Sequence, residues 1–347
     1  MEKMHAAVIH RHGTLDELRF EEIDRPQVNP GQVLVRTRAV ALNRLDLFVL
    51  EGIPGVQLKM PHVMGSDGAG IVEEVGQGGS RLEPGDQVML NPGLSCGQCE
   101  FCIQGEHSLC VRFSLMGEHT VGTFAEYFQA PEVNFEKIPS GVSFEEAAAF
   151  SLVTQTAWRM LKTRARLQAG EDVFIHGIGG GVASAALQIA VLSGARTFVS
   201  SSDESKLEQA RKLGADHCFN YSTVDVAKEV YKLTGKRGVD VVVEGPGAAT
   251  WLQSLKMVRK GGRIVTCGAT TGPHPQTELR LIFWKQIEIL GSSMSSRHEY
   301  QEIIGLLSRG KLRPVVDRVF PLSQARDAIE LLQNQSQFGK IVLQVES

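Results

Sequence analysis

The pattern of hydrophobic and polar residues changes near residue 145. Before that point, short apolar runs alternate with Gly, Pro and Asp, and three of these runs have the length and composition of strands. They cover residues 33–40, 70–75 and 86–90. Many short strands separated by turn residues predict a mostly β lobe over residues 1–145, in the form of a partly open barrel.

From residue 171 onward, apolar strands alternate with amphipathic helices. The pattern predicts strands at 172–175, 196–199, 217–219, 239–243 and 263–267, and helices at 179–192, 205–213, 223–233 and 248–258. This alternation produces right-handed βαβ units, so we expect residues 146–290 to form a doubly wound parallel sheet. The remaining stretch, 291–347, has helices predicted at 299–307 and 324–332 and a strand at 340–345. From the pattern alone it can complete either lobe.

Composition and charge narrow the class of protein. The chain is 42% hydrophobic and 22% charged, and 36 Lys and Arg against 39 Asp and Glu leave a net charge of −3. This balance gives no basic surface for nucleic acid or an anionic membrane, so we expect neither partner. No run approaches the ~18 apolar residues that cross a bilayer, and the N-terminal residues lack the apolar segment of a secretory signal. We therefore expect a cytoplasmic protein whose cysteines are reduced.

Four of the six cysteines lie within fifteen residues. Cys96, Cys99, Cys102 and Cys110 have the spacing C-x2-C-x2-C-x7-C. Four thiolates without a His describe a closed, tetrahedral site, so the spacing predicts one structural zinc per chain within a lobe at residues 91–115. The alternatives are an iron–sulfur cluster, whose usual last spacing is shorter and is followed by Pro, and disulfides, which a reducing compartment disfavours.

A glycine-rich turn joins the first strand of the parallel sheet to its helix. Gly180, Gly181 and Val182 open this helix, where unpaired N–H groups and the positive end of the helix dipole can hold a pyrophosphate. The strand–turn–helix context favours a dinucleotide site, and the alternative is a simple turn that needs no ligand. Rossmann cofactors bind at the carboxyl ends of the strands. The cofactor-binding candidates at the ends of the later strands are Gly245, Gly268 and Ala269.

The end of the second strand indicates which dinucleotide is bound. NAD sites place an acidic residue there to accept the ribose hydroxyls, whereas this chain has Ser201 at that position and Lys206 one turn further on. A small hydroxyl and a nearby cation favour the 2′-phosphate of NADPH. The alternative is structural: Ser202 or Asp203 caps the following helix and Lys206 is a solvated charge.

The whole chain resembles the medium-chain dehydrogenase/reductase superfamily, which includes zinc alcohol dehydrogenases and quinone oxidoreductases. The segments that carry the resemblance are the four-Cys lobe, the glycine turn, GSDGAGIV at 65–72, PGDQV at 84–88, GTFAEY at 122–127 and FGKIVL at 338–343. The resemblance implies an N-terminal GroES-like β lobe, a central Rossmann domain and a C-terminal stretch that returns to the β lobe. It also implies an active site in the cleft between the two domains.

The chain departs from the zinc alcohol dehydrogenases at the catalytic metal. The family members with a catalytic zinc hold it with Cys, His and Cys, and the resemblance places Asn43, Ser66 and Leu152 at these positions. An Asn amide, a Ser hydroxyl and an aliphatic side chain do not form a three-ligand zinc site. We therefore expect the structural zinc without the catalytic one.

The remaining site residues resemble those of the zinc-independent quinone oxidoreductases. Asn43 and Asp46 match an Asn-x-x-Asp pattern of that branch, and Tyr221 matches a Tyr near the 2′-phosphate. Thr154 is assigned to the cofactor site. The predicted catalytic residues are Asn43 and Ser66, as hydrogen-bond donors to a developing oxyanion, and Asp46, which orients a donor or relays a proton. The structural alternatives are a turn at Asn43 and a helix cap at Asp46.

These observations predict an NADPH-dependent oxidoreductase that transfers hydride to a quinone, an enone or another small carbonyl compound. One alternative is an alcohol dehydrogenase whose catalytic zinc is rebuilt from Asp67 or His119. Another is a redox sensor that binds NADPH without turnover. A zinc-ribbon nucleic-acid binder is opposed by the acidic charge balance. In the family resembled here, an edge strand at 287–290 pairs across a two-fold axis, so we expect a homodimer or a homotetramer.

Overall fold

The computed structural model of the chain describes residues 2–79 and 81–345. The chain forms two compact units, which we call the discontinuous unit (Met1–Leu152 with Ser296–Ser347) and the central unit (Val153–Ser295). The units therefore change over at 152/153 and 295/296, whereas the sequence pattern placed the changes at 145/146 and 290/291. In the described ranges, no helix has the length and apolar character that crossing a membrane requires.

The N-terminal part of the discontinuous unit consists mainly of short strands. Its elements are β1 (Lys3–Ile9), β2 (Leu18–Asp24), β3 (Gln32–Ala41), α1 (Arg44–Glu51), β4 (His62–Val63), β5 (Asp67–Val75), β6 (Gln87–Leu90), β7 (Gly93–Leu94), α2 (Glu100–Ile103), β8 (Ser114–Leu115), β9 (Tyr127–Pro131), β10 (Phe135–Lys137) and α3 (Phe144–Trp158). The last turns of α3 belong to the central unit.

The central unit is a parallel sheet with helical crossovers. Its elements are β11 (Asp172–Ile175), α4 (Gly181–Leu192), β12 (Arg196–Ser201), α5 (Glu204–Lys212), β13 (His217–Asn220), α6 (Val226–Leu233), β14 (Val239–Glu244), α7 (Trp251–Met257), β15 (Val258–Thr266), α8 (Leu279–Lys285) and β16 (Glu288–Gly291). The strand order is β13-β12-β11-β14-β15-β16, with every neighbouring pair parallel. The order reverses between β11 and β14, and such a reversal opens a crevice at the carboxyl ends of the strands.

The C-terminal part of the chain returns to the first unit. It contains α9 (Arg297–Ser308), β17 (Val316–Pro321), α10 (Ala325–Gln333) and β18 (Lys340–Gln344). The main sheet of the discontinuous unit has the order β10-β6-β5-β3-β18-β17, and β9 also pairs with β3. Because β18 runs antiparallel to β3, with Val342 opposite Ala41, the start of the last strand lies beside the residues that follow β3.

The strand and helix predictions agree with these elements to within a few residues. The runs at 33–40, 70–75 and 86–90 lie in β3, β5 and β6, and the predicted βαβ series corresponds to β11 through β15. The tail, which the pattern could assign to either lobe, adds β17 and β18 to the sheet of the discontinuous unit.

Candidate functional site

The glycine turn after β11 leaves open space in front of a helix. Gly177 has a φ of +65°, and the N–H of Ile178 donates to the carbonyl of Ser200 at 3.0 Å, which fixes the turn. Gly180 is the N-cap of α4. A Cβ at Gly177 would meet nothing within 4 Å, and one at Gly180 would meet only the Gly177 carbonyl oxygen at 3.8 Å. The predicted residues Gly180, Gly181 and Val182 thus form a helix N-terminus that fits a pyrophosphate group.

A buried hydrogen-bond network holds the loop after β14, at the same end of the parallel sheet. Glu244, the last residue of β14, accepts hydrogen bonds from the backbone N–H of Gly247 at 2.9 Å and the Thr250 hydroxyl at 2.7 Å. The Ser254 hydroxyl donates to the second carboxylate oxygen of Glu244, Oε2, at 2.5 Å, and its oxygen lies 2.9 Å from Nε2 of His176. Burial lowers the pKa of His176 to about 4, so the ring is neutral near pH 7 and donates Nε2–H to Ser254. These contacts position Gly245.

Two of the predicted 2′-phosphate residues, Ser201 and Tyr221, come together at the end of β12. Ser201 pairs in register with Asn220, and the N–H of Tyr221 donates to the Ser201 carbonyl at 3.0 Å. Asp203 caps α5 by accepting from the N–H of Ser205 at 2.8 Å. Lys206 lies in the first turn of that helix. The cap proposed as a structural alternative is therefore present, but it leaves Ser201 and Tyr221 side by side.

The other predicted cofactor residues of the central unit lie in the loops after β14 and β15 and in helix α3. Gly245 and Gly268 lie in the neighbouring loops after β14 and β15, where a Cβ on Gly268 would be 3.4 Å from the Gly245 carbonyl oxygen. Ala269 follows in the second loop, and the N–H of Thr270 donates to the Gly245 carbonyl at 3.3 Å. Thr154 is buried within α3.

In the discontinuous unit, two of the three residues at the catalytic-zinc positions, Asn43 and Leu152, donate to one carboxylate. Asp67 is fully buried. It accepts from Nδ2 of Asn43 at 2.9 Å and from the backbone N–H of Leu152 at 2.9 Å. Nζ of Lys340 lies 3.0 Å from the same oxygen that Asn43 contacts, and 2.6 Å from Oδ1 of Asn43. Asn43, Asp67 and Lys340 thus form a buried, ion-paired group, which we call the Asp67 cluster.

These contacts use the whole amide of Asn43. One Nδ2 hydrogen goes to Asp67 and the other to the Ala41 carbonyl at 3.3 Å, while Oδ1 accepts from Lys340. Asn43 can donate to a substrate oxygen only by giving up one of these partners. Ser66 is also engaged, because its hydroxyl donates to the Met116 carbonyl at 2.7 Å.

Asp46 holds the start of α1 against the Asp67 cluster. Its carboxylate accepts from the N–H of Asn43 at 2.7 Å, and its side chain is buried. Burial raises the pKa of Asp46 to about 7, although the Asn43 N–H and the charge of Lys340 oppose the rise. Asn43 is the N-cap of α1, and Asp46 closes the capping box as the third residue of the helix, so the structural alternative stated for Asp46 describes part of its role.

The four cysteines form a compact sulfur cage. The Sγ atoms of Cys96, Cys99, Cys102 and Cys110 all lie within 4.8 Å of one another. Two of the separations are 3.5 Å for Cys99–Cys102 and 4.0 Å for Cys96–Cys102, close to the ~3.8 Å edge of a tetrahedron with zinc–sulfur bonds of ~2.3 Å. Hydrogen bonds from backbone N–H groups, chiefly that of Gln98, lower the pKa of Cys96 to about 6. The donor set therefore fits a tetrahedral metal.

No second group of metal donors occurs among residues 2–79 and 81–345, where the four cysteines are the one set of three or more His, Cys, Asp or Glu close enough to share an ion. His119, a candidate for a rebuilt metal site, accepts from the Leu115 N–H at 3.2 Å. The other candidate, Asp67, is committed to the Asp67 cluster.

A Rossmann sheet joined to a GroES-like domain defines a class of oxidoreductases, and comparisons with known proteins identify the family. Residues 29–140 match the family described as "Alcohol dehydrogenase GroES-like domain", and residues 181–309 match "Zinc-binding dehydrogenase". The chain belongs to the zinc-type medium-chain dehydrogenase/reductase superfamily. The expected fold class and the expected enzyme class, a medium-chain oxidoreductase, are thereby confirmed.

Individual relatives cover nearly the whole chain. A zinc-type alcohol dehydrogenase-like protein of Schizosaccharomyces pombe is 34% identical, over 95% of this chain and 96% of its own length. An acryloyl-coenzyme A reductase of Metallosphaera sedula is 32% identical, over 98% and 99%. A crystal structure of an NAD-dependent alcohol dehydrogenase is 43% identical, with a TM-score of 0.95 over 99% of this chain and 100% of that one.

The sequence analysis did not assign Lys340, Glu244 or His176 to the site. Lys340 belongs to the FGKIVL segment, and a cation at the start of an apolar strand is a visible signal. Glu244 likewise ends the apolar run VDVVVE. Each position indicates a buried charge but does not reveal what binds it. The partners of Lys340 are distant in sequence, and those of Glu244 follow a turn.

Proposed function

We propose that this oxidoreductase uses NADPH to reduce a quinone, an enone or another small carbonyl compound without a catalytic zinc, in a reducing, cytoplasmic setting. The observation that carries the proposal is the Asp67 cluster. Asn43 and Leu152, at two of the family's three zinc positions, donate to a carboxylate that is already neutralised by Lys340, and Ser66, at the third, donates to the Met116 carbonyl. Such a group is a poor metal ligand, because its oxygens are committed to N–H donors and an ammonium group.

The bound dinucleotide would supply the hydride. In this proposal Ser66 donates its hydroxyl to the substrate oxygen after leaving the Met116 carbonyl, and Asp67 and Lys340 fix Asn43 beside it. Asp46, whose pKa lies near neutrality, is suited to hold or release a proton on its own carboxyl group, next to Asn43. The glycine turn would hold the pyrophosphate.

Zinc in the four-cysteine cage would be structural. Four thiolates close the coordination sphere, which leaves no position for substrate, and the metal would stabilise a lobe with few apolar residues.

Metal content and turnover together test the proposal. We expect one zinc per chain by elemental analysis, and oxidation of NADPH by at least one compound in a panel of quinones, enones and aldehydes. Two zinc ions per chain would contradict it in favour of a rebuilt metal site. Tight NADPH binding without turnover across the panel would favour the sensor. Because one relative is an acryloyl-coenzyme A reductase, the panel should include an unsaturated acyl thioester.

The cofactor preference has its own test. Ser201 and Tyr221 support the 2′-phosphate assignment by their placement at the end of β12, and Lys206 supports it by its position in the first turn of the helix that follows, α5. We expect kcat/KM to be higher for NADPH than for NADH, and Ser201→Asp to reverse the preference, since a carboxylate repels the phosphate and accepts the ribose hydroxyls. Lys212→Ala, at the far end of α5, serves as a control. A wild-type preference for NADH would contradict the assignment.

We also propose a homodimer formed through the edge of the central sheet. β16 is the last strand of that sheet, and Ile289 on it is 40% exposed. On the preceding helix α8, Leu279, Phe283 and Trp284 are 66%, 62% and 76% exposed. An unpaired strand edge beside large exposed apolar side chains is suited to pairing with a second copy of this chain.

A further inference from the structure

A basic pocket lies in the central unit at the end of the sheet opposite the glycine turn. The cavity measures about 420 Å³. It is lined by Tyr231, Lys236, Arg237, Arg259, Lys260 and Lys285. Lys236 and Arg237 come just before β14, and Arg259 and Lys260 lie in the first three residues of β15. The pocket is therefore at the amino ends of the strands, whereas Rossmann cofactors bind at the carboxyl ends.

An irregularity in the sheet forms one wall of this pocket. Val239 pairs with Val258 and Val241 pairs with Arg263, so two steps along β14 match five steps along β15. The three additional residues bulge out of the ladder and carry Arg259 and Lys260 into the wall. On the facing wall, Lys236 has a φ of +66°, a left-handed conformation that a non-glycine residue adopts at some cost.

The charges in the pocket are only partly compensated. Arg237 and Arg259 both donate to Asp240, each at 2.5 Å at its shortest contact. Lys285 donates to the backbone carbonyls of Leu255, Lys256 and Val258 at 2.6 to 2.9 Å, so it adds charge but no free hydrogen-bond donor.

Two lysines complete the pocket. Lys236 and Lys260 are exposed, and neither has a carboxylate within ion-pair distance in the part of the chain that the structure describes. Five cations therefore face one cavity, and two carboxylates of the described residues lie within ion-pair distance of them: Asp240, which both arginines contact, and Asp172, at 3.7 Å from Arg237. The cavity is too small for a nucleic-acid duplex and has room for a small molecule.

We propose that this pocket binds a small diphosphate or polyphosphate anion, separately from the cofactor. The two exposed ammonium groups supply free donors, the arginines held by Asp240 add positive charge, and the Tyr231 ring offers a flat wall beside them. A diphosphate group carries enough negative charge to balance the surplus. The free anion and the diphosphate of a nucleotide share this chemistry.

Calorimetric titration of the full-length protein with inorganic pyrophosphate, at ~0.1 M salt, tests the proposal. The titration is carried out with and without saturating NADPH. We expect saturable binding that survives NADPH, and about tenfold weaker binding in Lys236→Gln/Lys260→Gln. The matched control, Lys212→Gln/Lys228→Gln, removes the same charge from exposed positions elsewhere on the central unit and should bind as the wild type does.

Three outcomes would overturn the proposal: no saturable binding, complete displacement by NADPH, or equal weakening in the control. Thermal unfolding verifies that each variant is folded, and Lys260→Gln alone replaces the double variant if that one is not. A parallel titration with ADP, also with NADPH present, separates the two sources. If ADP binds more tightly than pyrophosphate and this advantage is lost in Tyr231→Ser, the ligand is a nucleotide. If ADP and pyrophosphate bind equally, the ligand is the free anion.

Discussion

Single residues with buried charges decide the chemistry of the discontinuous unit. Lys340 is 3% exposed and Asp67 0%, so neither side chain can be solvated if its partner is lost. We expect Lys340→Met to lower the free energy of unfolding by about 3–5 kcal/mol, because it leaves an uncompensated buried carboxylate. Urea denaturation measures this change.

An exposed ion pair provides the matched control for Lys340. Lys137 contacts Asp86 at 2.7 Å, but its side chain is 55% exposed. Lys137→Met should cost less than about 1 kcal/mol. If both variants lose the same small amount, the Asp67 cluster does not have the energetic role assigned to it. The double variant Lys340→Met/Asp67→Asn should recover part of the loss, because it removes both charges.

Asp46 predicts a pH dependence of stability. Burial raises its pKa to about 7 in the folded chain, whereas an Asp in an unfolded chain has a pKa of about 3.9. Its contribution to stability is therefore complete below the lower value and is lost as the pH rises through the higher one. We expect Asp46→Asn to gain stability relative to the wild type between about pH 4 and pH 7, with a constant difference above.

Denaturation at a series of pH values measures this difference. Asp225→Asn is the control, since the side-chain hydrogen bond from Lys228 lowers the pKa of Asp225. The stability difference between Asp225→Asn and the wild type should change with pH only in the acid range, and Asp225→Asn should lose stability relative to the wild type as the pH rises there. A pH-independent difference for Asp46→Asn would show that Asp46 titrates in the same way in the folded and unfolded chains.

Residues that act through local spacing could be predicted from the sequence, and residues that act through distant partners could not. The sulfur cage spans fifteen positions, so its spacing alone predicted a tetrahedral site. Asn43 and Lys340 touch across 297 positions, and only the pairing of the last strand with β3 brings them together. The sequence therefore suggested Asn43 as a donor, while the structure shows where its amide hydrogens already go.

At the scale of elements, the glycine turn carries a prediction about cofactor binding. A methyl group on Gly180 would have one neighbour, at 3.8 Å, so the fold tolerates Gly180→Ala. The same methyl group would occupy the open space before α4. We expect about tenfold weaker dinucleotide binding, measured by cofactor fluorescence, with an unchanged melting temperature.

A helical glycine outside the turn is the control for Gly180. Gly305→Ala, within α9, should leave affinity unchanged and raise stability by up to about 1 kcal/mol. Affinity in Gly180→Ala equal to that of the wild type would mean that the pyrophosphate does not approach this turn.

The elements themselves were predictable where burial gave them a clear period. The strands of the parallel sheet are continuous apolar runs and the crossovers have a helical stripe, so β11 to β15 were located to within a few residues. Helix starts were less accurate: the predicted helix at 223 begins at Val226, after its Asp225 cap. Two-residue strands such as β4 and β7 are too short to show a period, so much of the β lobe was not resolved element by element.

At the scale of the whole molecule, the proposed dimer predicts a change in mass. Phe283→Ser/Trp284→Ser removes two large apolar side chains that are both more than half exposed on α8. We expect the molar mass measured by light scattering to fall toward that of one chain, 37.9 kDa, at low micromolar concentration.

Val121, also apolar and 63% exposed, lies outside the central unit and provides the control. Val121→Ser should keep the wild-type mass. A wild-type protein that is monomeric at all concentrations would refute the dimer.

The position of β18 has a consequence for how the protein folds during its synthesis. This strand lies between β3 and β17, so the sheet that begins near residue 32 stays incomplete until residue 340 has been added. The central unit is one uninterrupted stretch of the chain. Domains generally fold as units during translation. In a nascent chain the central unit should therefore fold before Lys340, the counter-ion of Asp67, has been synthesised. Transcripts with a premature stop before codon 340 should yield half-folded products for the cell's proteases to clear.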